Sequence, residues 1–141
     1  MKITIETVVH ASLSSVWDAW SNPEDIQQWN TASEDWHTTH STVDLREGGK
    51  FLSRMEAKDG SMGFDFAGTY TRVVPHEAIE YQLGDSREVA VTFTKVEGAE
   101  REGGVLIKTV FDAEAQHPAE MQRAGWQAIL ENFGRYVEAK R

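Results

Sequence analysis

Apolar and polar positions alternate from the first residues: Ile3, Ile5 and Val9, with Thr7 in phase, against Lys2, Glu6 and His10. A period of two is the mark of a strand with one buried face. The period then lengthens. Ser12 can cap a short helix carrying Leu13, Val16, Trp17 and Trp20, and Asn22-Pro23-Glu24-Asp25 supplies a second cap, a first-turn proline and two acids at the positive end of the dipole. Two short helices are predicted there. From Thr38 the strand pattern returns, over Thr38 to Leu45, Lys50 to Ala57, Phe64 to Val74, Ala78 to Leu83, Glu88 to Val96 and Val105 to Phe111. Gly48-Gly49, Asp59-Gly60, Pro75, Gly84-Asp85 and the polar loop Gly98 to Gly104 punctuate them, which makes successive strands antiparallel neighbours.

The chain closes on a long helical stripe of Met121, Trp126, Ile129, Leu130, Phe133 and Val137. Pro118 suits its first position and Glu120 its N-terminal dipole, while Arg135, Lys140 and Arg141 suit the other end. At 1.5 Å per residue such a helix covers about 33 Å, enough to cross a whole sheet. The expected class is α+β, a curved antiparallel sheet of six to seven strands around a long terminal helix, with a cavity between them.

Composition narrows the partners. The 141 residues make one domain, 1–141, with a real core. A formal charge of −9 argues against nucleic acid or an anionic membrane surface as partner, because both reward clustered Lys and Arg. There is no cysteine, so disulfides, thiolate metal sites and cysteine nucleophiles are excluded. The alternating N-terminus is neither a signal peptide nor a membrane span, and cytoplasm is the expected location. No internal repeat or low-complexity tract interrupts the chain.

Several blocks in this order carry a resemblance: Val16-Trp17-Asp18-Ala19-Trp20 with Asn22-Pro23-Glu24 and Trp29; Asp44 through Phe51; Asp59-Gly60; Gly68-Thr69-Tyr70; Pro75; and Gly125-Trp126-Gln127 with Leu130-Glu131-Asn132-Phe133. They are similar to bacterial relatives of the activator of the heat-shock-protein-90 ATPase, a branch of the START-like or SRPBCC superfamily. The resemblance implies a helix-grip fold, in which the sheet grips the C-terminal helix and the short helices close one end. It carries over no catalytic motif and no cofactor. Members of the superfamily bind lipids, polyketides or hormones, and a few perform cyclisations.

Five tryptophans, three tyrosines and six phenylalanines invite an aromatic ligand wall. Trp17, Trp20, Phe93 and Phe111 are assigned to packing. Trp126, following Gly125 where a small residue would let the helix approach a neighbour, serves equally as core or as cavity roof. The expected lining is Trp29, Trp36, Phe51, Met55, Phe66, Tyr70, Tyr81, Met121, Trp126 and Leu130, with Tyr70 and Tyr81 as polar hooks and the methionines as adaptable fillers.

Other chemistry finds less support. His37 and His40 beside Glu34 and Asp35 suggest a metal, but on a regular strand positions 37 and 40 face opposite ways, so no metal site is expected. Asp65 is placed on the solvent face, and Arg46 is read as structural, pairing with Asp44 or bracing the Gly48-Gly49 turn. No Gly-x-Ser-x-Gly elbow or Ser-x-x-Lys occurs, and Gly48-Gly49-Lys50 is followed by Phe51 where a phosphate loop needs Ser or Thr. The expected function is binding of a hydrophobic small molecule, lipid or aromatic, without chemistry of its own, with a homodimer admitted. A cyclase or isomerase would need Asp65 or His40 facing inward, and a protein-interaction module related to stress would need an exposed apolar patch.

Overall fold

A computed structural model describes residues 1–96 and 104–140; most of the Gly98 to Gly104 loop and Arg141 lie outside them. The chain runs β1 (Lys2–Val9), α1 (Leu13–Ser21), α2 (Pro23–Trp29), β2 (Trp36–Val43), β3 (Lys50–Ala57), β4 (Gly63–Val74), β5 (Ala78–Leu83), β6 (Glu88–Val96), β7 (Gly104–Asp112) and α3 (Ala119–Lys140). The seven strands form one antiparallel sheet in the order β1-β7-β6-β5-β4-β3-β2. Strands β2 to β7 are thus a plain meander, and β1 joins it beside β7. The chain must then cross from one sheet edge to the other between β1 and β2. The two short helices make that crossing, which closes one end of the curled sheet with α3 in its grip.

The caps behave as their chemistry demands. Ser12 Oγ accepts from the Ser15 N–H at 3.1 Å, and Asn22 Oδ1 accepts from Glu24 N–H at 3.0 Å with Pro23 at the helix start. Pro118 falls one residue before α3, its carbonyl accepting from the N–H groups of Met121 and Gln122. Helix α3 also screens the open edge of β1: Arg123 Nη1 donates to the Thr4 carbonyl at 2.7 Å and Gln127 Nε2 to that of Glu6 at 3.1 Å. An uncovered edge would offer those groups to another chain.

The alternation of β1 holds, with Ile3, Ile5 and Val9 buried. Around the fully buried Phe133 of α3, Trp20 and Trp29 stand edge-on at 5.0 and 4.8 Å, fastening the short helices to the long one. Trp17 and Phe93 pack together at 5.3 Å as expected of core residues. Of the two α3 glycines, Gly134 is the one that faces a neighbour, its added Cβ lying 3.4 Å from Val9 Cγ2, an ordinary contact distance; at Gly125 no atom would come within 4 Å. The expected role of Gly125 is not seen there; the helical glycine nearest a neighbouring element lies nine residues further on.

Strand β2 departs from regularity. Its register shifts between Thr38 and His40, leaving Thr39 as an extra residue. His37 then pairs with Glu56 and His40 with Arg54, and Arg54 and Glu56 join through an Nε–Oε2 contact of 3.1 Å on the outer face. The two histidines therefore share the convex face, and the expectation that they point apart is overturned by the bulge. No group of three or more metal-capable side chains occurs among the described residues.

Candidate functional site

Between the concave face and α3 lies a cavity of about 290 Å³, at the lower end of the range for small-molecule pockets. Its floor is built from the inward-facing rows of the sheet. Phe51, Ser53 and Met55 alternate along β3, Phe64, Phe66 and Tyr70 along β4, and Ile79 and Tyr81 along β5, while Ile5 and Thr109 close the floor at the β1–β7 end. Trp20 comes from α1, and Ile26, Trp29 and Asn30 from α2 and its cap. Trp126, Ile129 and Leu130 of α3 form the roof, and Val43 and Arg87 complete the wall.

The close approach that shapes the floor occurs at Gly68. It pairs with Phe51 on one side and Leu83 on the other. A Cβ there would meet the Gln82 carbonyl oxygen at 2.5 Å and two Phe51 ring atoms at 3.0 Å. Absence of a side chain lets the Phe51 ring fold over the sheet, where it stands edge-on to Tyr81 at 4.8 Å and tilted against Tyr70 at 5.2 Å. Above them Trp126 stacks on Phe111 and presents its edge direction to Phe66, with centroids 6.0 Å apart.

Both wall tyrosines keep their hydroxyls without a hydrogen-bond partner among the described residues. Burial pushes each phenol well above its ordinary range, aided at Tyr70 by the charge of Asp44 and at Tyr81 by Tyr70. Near neutral pH they are therefore protonated donors. Ser53 Oγ, by contrast, lies 3.3 Å from Ser41 Oγ. The wall contains no Asp, Glu, His or Lys, and Arg87 is its charged member.

Eight of the ten residues expected in the lining are in it: Trp29, Phe51, Met55, Phe66, Tyr70, Tyr81, Trp126 and Leu130. Met121 is not. It is 59% exposed, because α3 turns it away from the face that carries Trp126, and Gln122 takes the inward place instead. The Gln122 amide serves the incoming loop, donating to the carbonyls of Glu114 at 3.0 Å and His117 at 2.8 Å and accepting from Glu114 N–H at 2.9 Å. Trp36 also stands outside the wall. It sits at the last rung of the β2–β3 ladder opposite Ala57 and packs on Phe64 at 5.9 Å, forming a rim instead of a floor.

Several wall residues escaped the sequence reading. Trp20 was assigned to packing and does both. Ile5 belongs to the buried face read for the first strand and Ile129 to the apolar stripe of the long helix, which marked them as inward without distinguishing cavity from core, while Ile79 lies on a strand whose faces the sequence reading did not assign. Arg87 could have been found from its position two residues before Val89 on an inward-facing parity. Asp65 lies on the outer face, 3.4 Å from Arg54 Nη1, and Arg46 Nε lies 3.0 and 2.9 Å from the two oxygens of Asp44. Those two expectations agree with the structure.

Helix α2 is held over the cavity by α3. Tyr136 donates its hydroxyl to Asp25 Oδ1, Lys140 Nζ reaches the same oxygen at 2.9 Å, and Asn132 Nδ2 donates to the Trp29 carbonyl at 2.8 Å. Trp29 itself is oriented by its indole N–H, which donates to the Ala19 carbonyl at 2.9 Å. Among the described residues no helix is long and apolar enough to cross a membrane.

The architecture recurs in solved structures. A solution NMR structure of an AHSA1-like protein from Aeromonas hydrophila is 49% identical, with a TM-score of 0.87 over 99% of this chain and 94% of that one. A solution structure from Cytophaga hutchinsonii is 42% identical, with a TM-score of 0.80 over 99% of this chain and 93% of that one. A crystal structure from Chromobacterium violaceum shares the fold at 23% identity, with a TM-score of 0.81 over 98% of both chains. No curated protein matches the chain. The family model described as Activator of Hsp90 ATPase homolog 1-like protein matches residues 10–138. The helix-grip architecture agrees with that match, and the chain belongs to the Activator of Hsp90 ATPase homolog 1-like family.

Proposed function

We propose that this chain binds an apolar or aromatic small molecule between its sheet and terminal helix, without chemistry of its own. The observation that carries the reading is the cavity itself: a wall mostly of aromatic and aliphatic side chains, whose polar members include two protonated, unpartnered tyrosyl hydroxyls. Burial of a ligand's apolar surface would supply roughly 25 cal/mol per Å², and the hydroxyls would fix its orientation. An isomerase or cyclase reading has less to work with. Asp65 and His40, which would have to face inward, belong to the outer face, and a buried phenol of raised pKa is a poor base at neutral pH.

A cochaperone-like module is the second reading. It is favoured by the family description and by one surface feature, the Trp36–Phe64 rim with Phe64 47% and Met62 60% exposed. Native mass spectrometry of the protein purified from its own host, paired with tryptophan fluorescence titration of a hydrophobic panel, separates the readings. A co-purifying or saturable ligand supports the binding module. Its absence, with no titration by any compound, contradicts it.

A further inference from the structure

The cavity wall has a chemical polarity that apolar lining alone does not require. Arg87 stands just before β6, and its carbonyl accepts from Leu83 N–H at 2.8 Å. Val89, two residues on, pairs with Tyr81, and Tyr81 pairs with Tyr70. Arg87 therefore occupies the inward parity, diagonal to Tyr81 across the β5–β6 ladder. Its guanidinium is partly sheltered. The Nε atom contacts Asp85 Oδ2 at 2.7 Å, while the two terminal nitrogens have no hydrogen-bond partner among the described residues. The Tyr70 and Tyr81 hydroxyls likewise make no hydrogen bond among the described residues, so one stretch of β4, β5 and the β5–β6 turn presents donors without a carboxylate in the wall to receive them.

We infer that the ligand is an acid: a compact apolar or aromatic body bearing a carboxylate or comparable anionic group, which the Arg87 guanidinium and a tyrosyl hydroxyl receive. The inference rests on the binding reading above and gives it a substrate class. A planar fork and a carboxylate make charge-assisted parallel bonds that a neutral head group cannot match. Asp85, and Glu114 whose carboxyl also feels Arg87, moderate the attraction. Selectivity for the acid is consequently modest, about five- to tenfold, less than the full value of a charged hydrogen bond.

The test is isothermal calorimetry with 2-naphthoate and 2-naphthamide, which share one apolar body. The native chain should bind naphthoate about five- to tenfold more tightly, Arg87→Met should abolish that difference by weakening naphthoate more than naphthamide, and Arg87→Lys should restore part of it. Asp85→Asn should tighten naphthoate alone. Equal binding of both compounds by the native chain, or a preference that survives Arg87→Met in a folded variant, overturns the acid assignment while leaving the binding module intact. Failure of both compounds to bind overturns the assignment and counts against the module as well.

Discussion

The indole of Trp126 lies flat on the ring of Phe111, with centroids 3.9 Å apart and planes 7° from parallel. One ring is fully buried on β7, and the other is half-buried with the cavity on its far side. The pair seats the long helix on the sheet and sets the height of the roof. Phe111→Ala should therefore destabilise the fold by about 3–5 kcal/mol. Trp126→Ala should cost less, because part of the indole already faces open space, and should enlarge the cavity. Urea denaturation of both variants checks the order.

Two glycines give opposite outcomes. Gly68→Ala forces a Cβ against the Gln82 carbonyl, which cannot move without breaking sheet pairing, and against Phe51. A cost of about 1–3 kcal/mol is expected. Gly125→Ala places a methyl in open space within a helix, and should stabilise by about 0.5–1 kcal/mol. Thermal unfolding of the two variants should move in opposite directions.

The clamp over the cavity is separable from the core. Asn132→Ala leaves the Trp29 carbonyl without its donor and should cost about 1 kcal/mol. Faster hydrogen exchange should be confined to α2 and its cap. A uniform loss of protection across the sheet would mean that the bond secures the whole fold.

The three tyrosines should titrate late. Burial raises the phenols of Tyr70 and Tyr81, and burial together with the Asp25 carboxylate raises that of Tyr136. A free phenol is half ionised near pH 10. Because the folded chain resists ionisation and the unfolded chain does not, stability is unaffected below the unfolded value and falls as pH rises above it. Phenolate absorbance should stay low at about pH 10 and rise together with loss of the fold. A normal titration in a still-folded chain would contradict the burial of these hydroxyls.

Period and parity carried most of the architecture. Ile3, Ile5 and Val9, the Ser12 and Asn22 caps and the turn residues all point to the elements found. The aromatic and methionine content also pointed to Phe51, Met55, Phe66, Tyr70 and Tyr81, which the structure brings together in one wall. Parity could not anticipate the bulge at Thr39, which depends on pairing between strands, nor the choice of Gln122 over Met121 for the inward side of α3. That choice turns on a buried amide with several carbonyl partners, which hydrophobicity cannot register. Cavity and core share one apolar alphabet, so Ile79 as wall and Phe111 as packing differ only by how neighbouring volumes add up.

The most direct test fills the space. Ile129 lines the roof from a half-buried helical position, so Ile129→Trp should occupy the cavity without breaking the sheet. With calorimetric titration of a hydrophobic panel, the native chain should bind one or more compounds saturably at one site. The filled variant, with its thermal transition retained, should bind none. Undiminished binding by the filled variant, or no saturable binding by the native chain, would contradict a ligand held between sheet and helix.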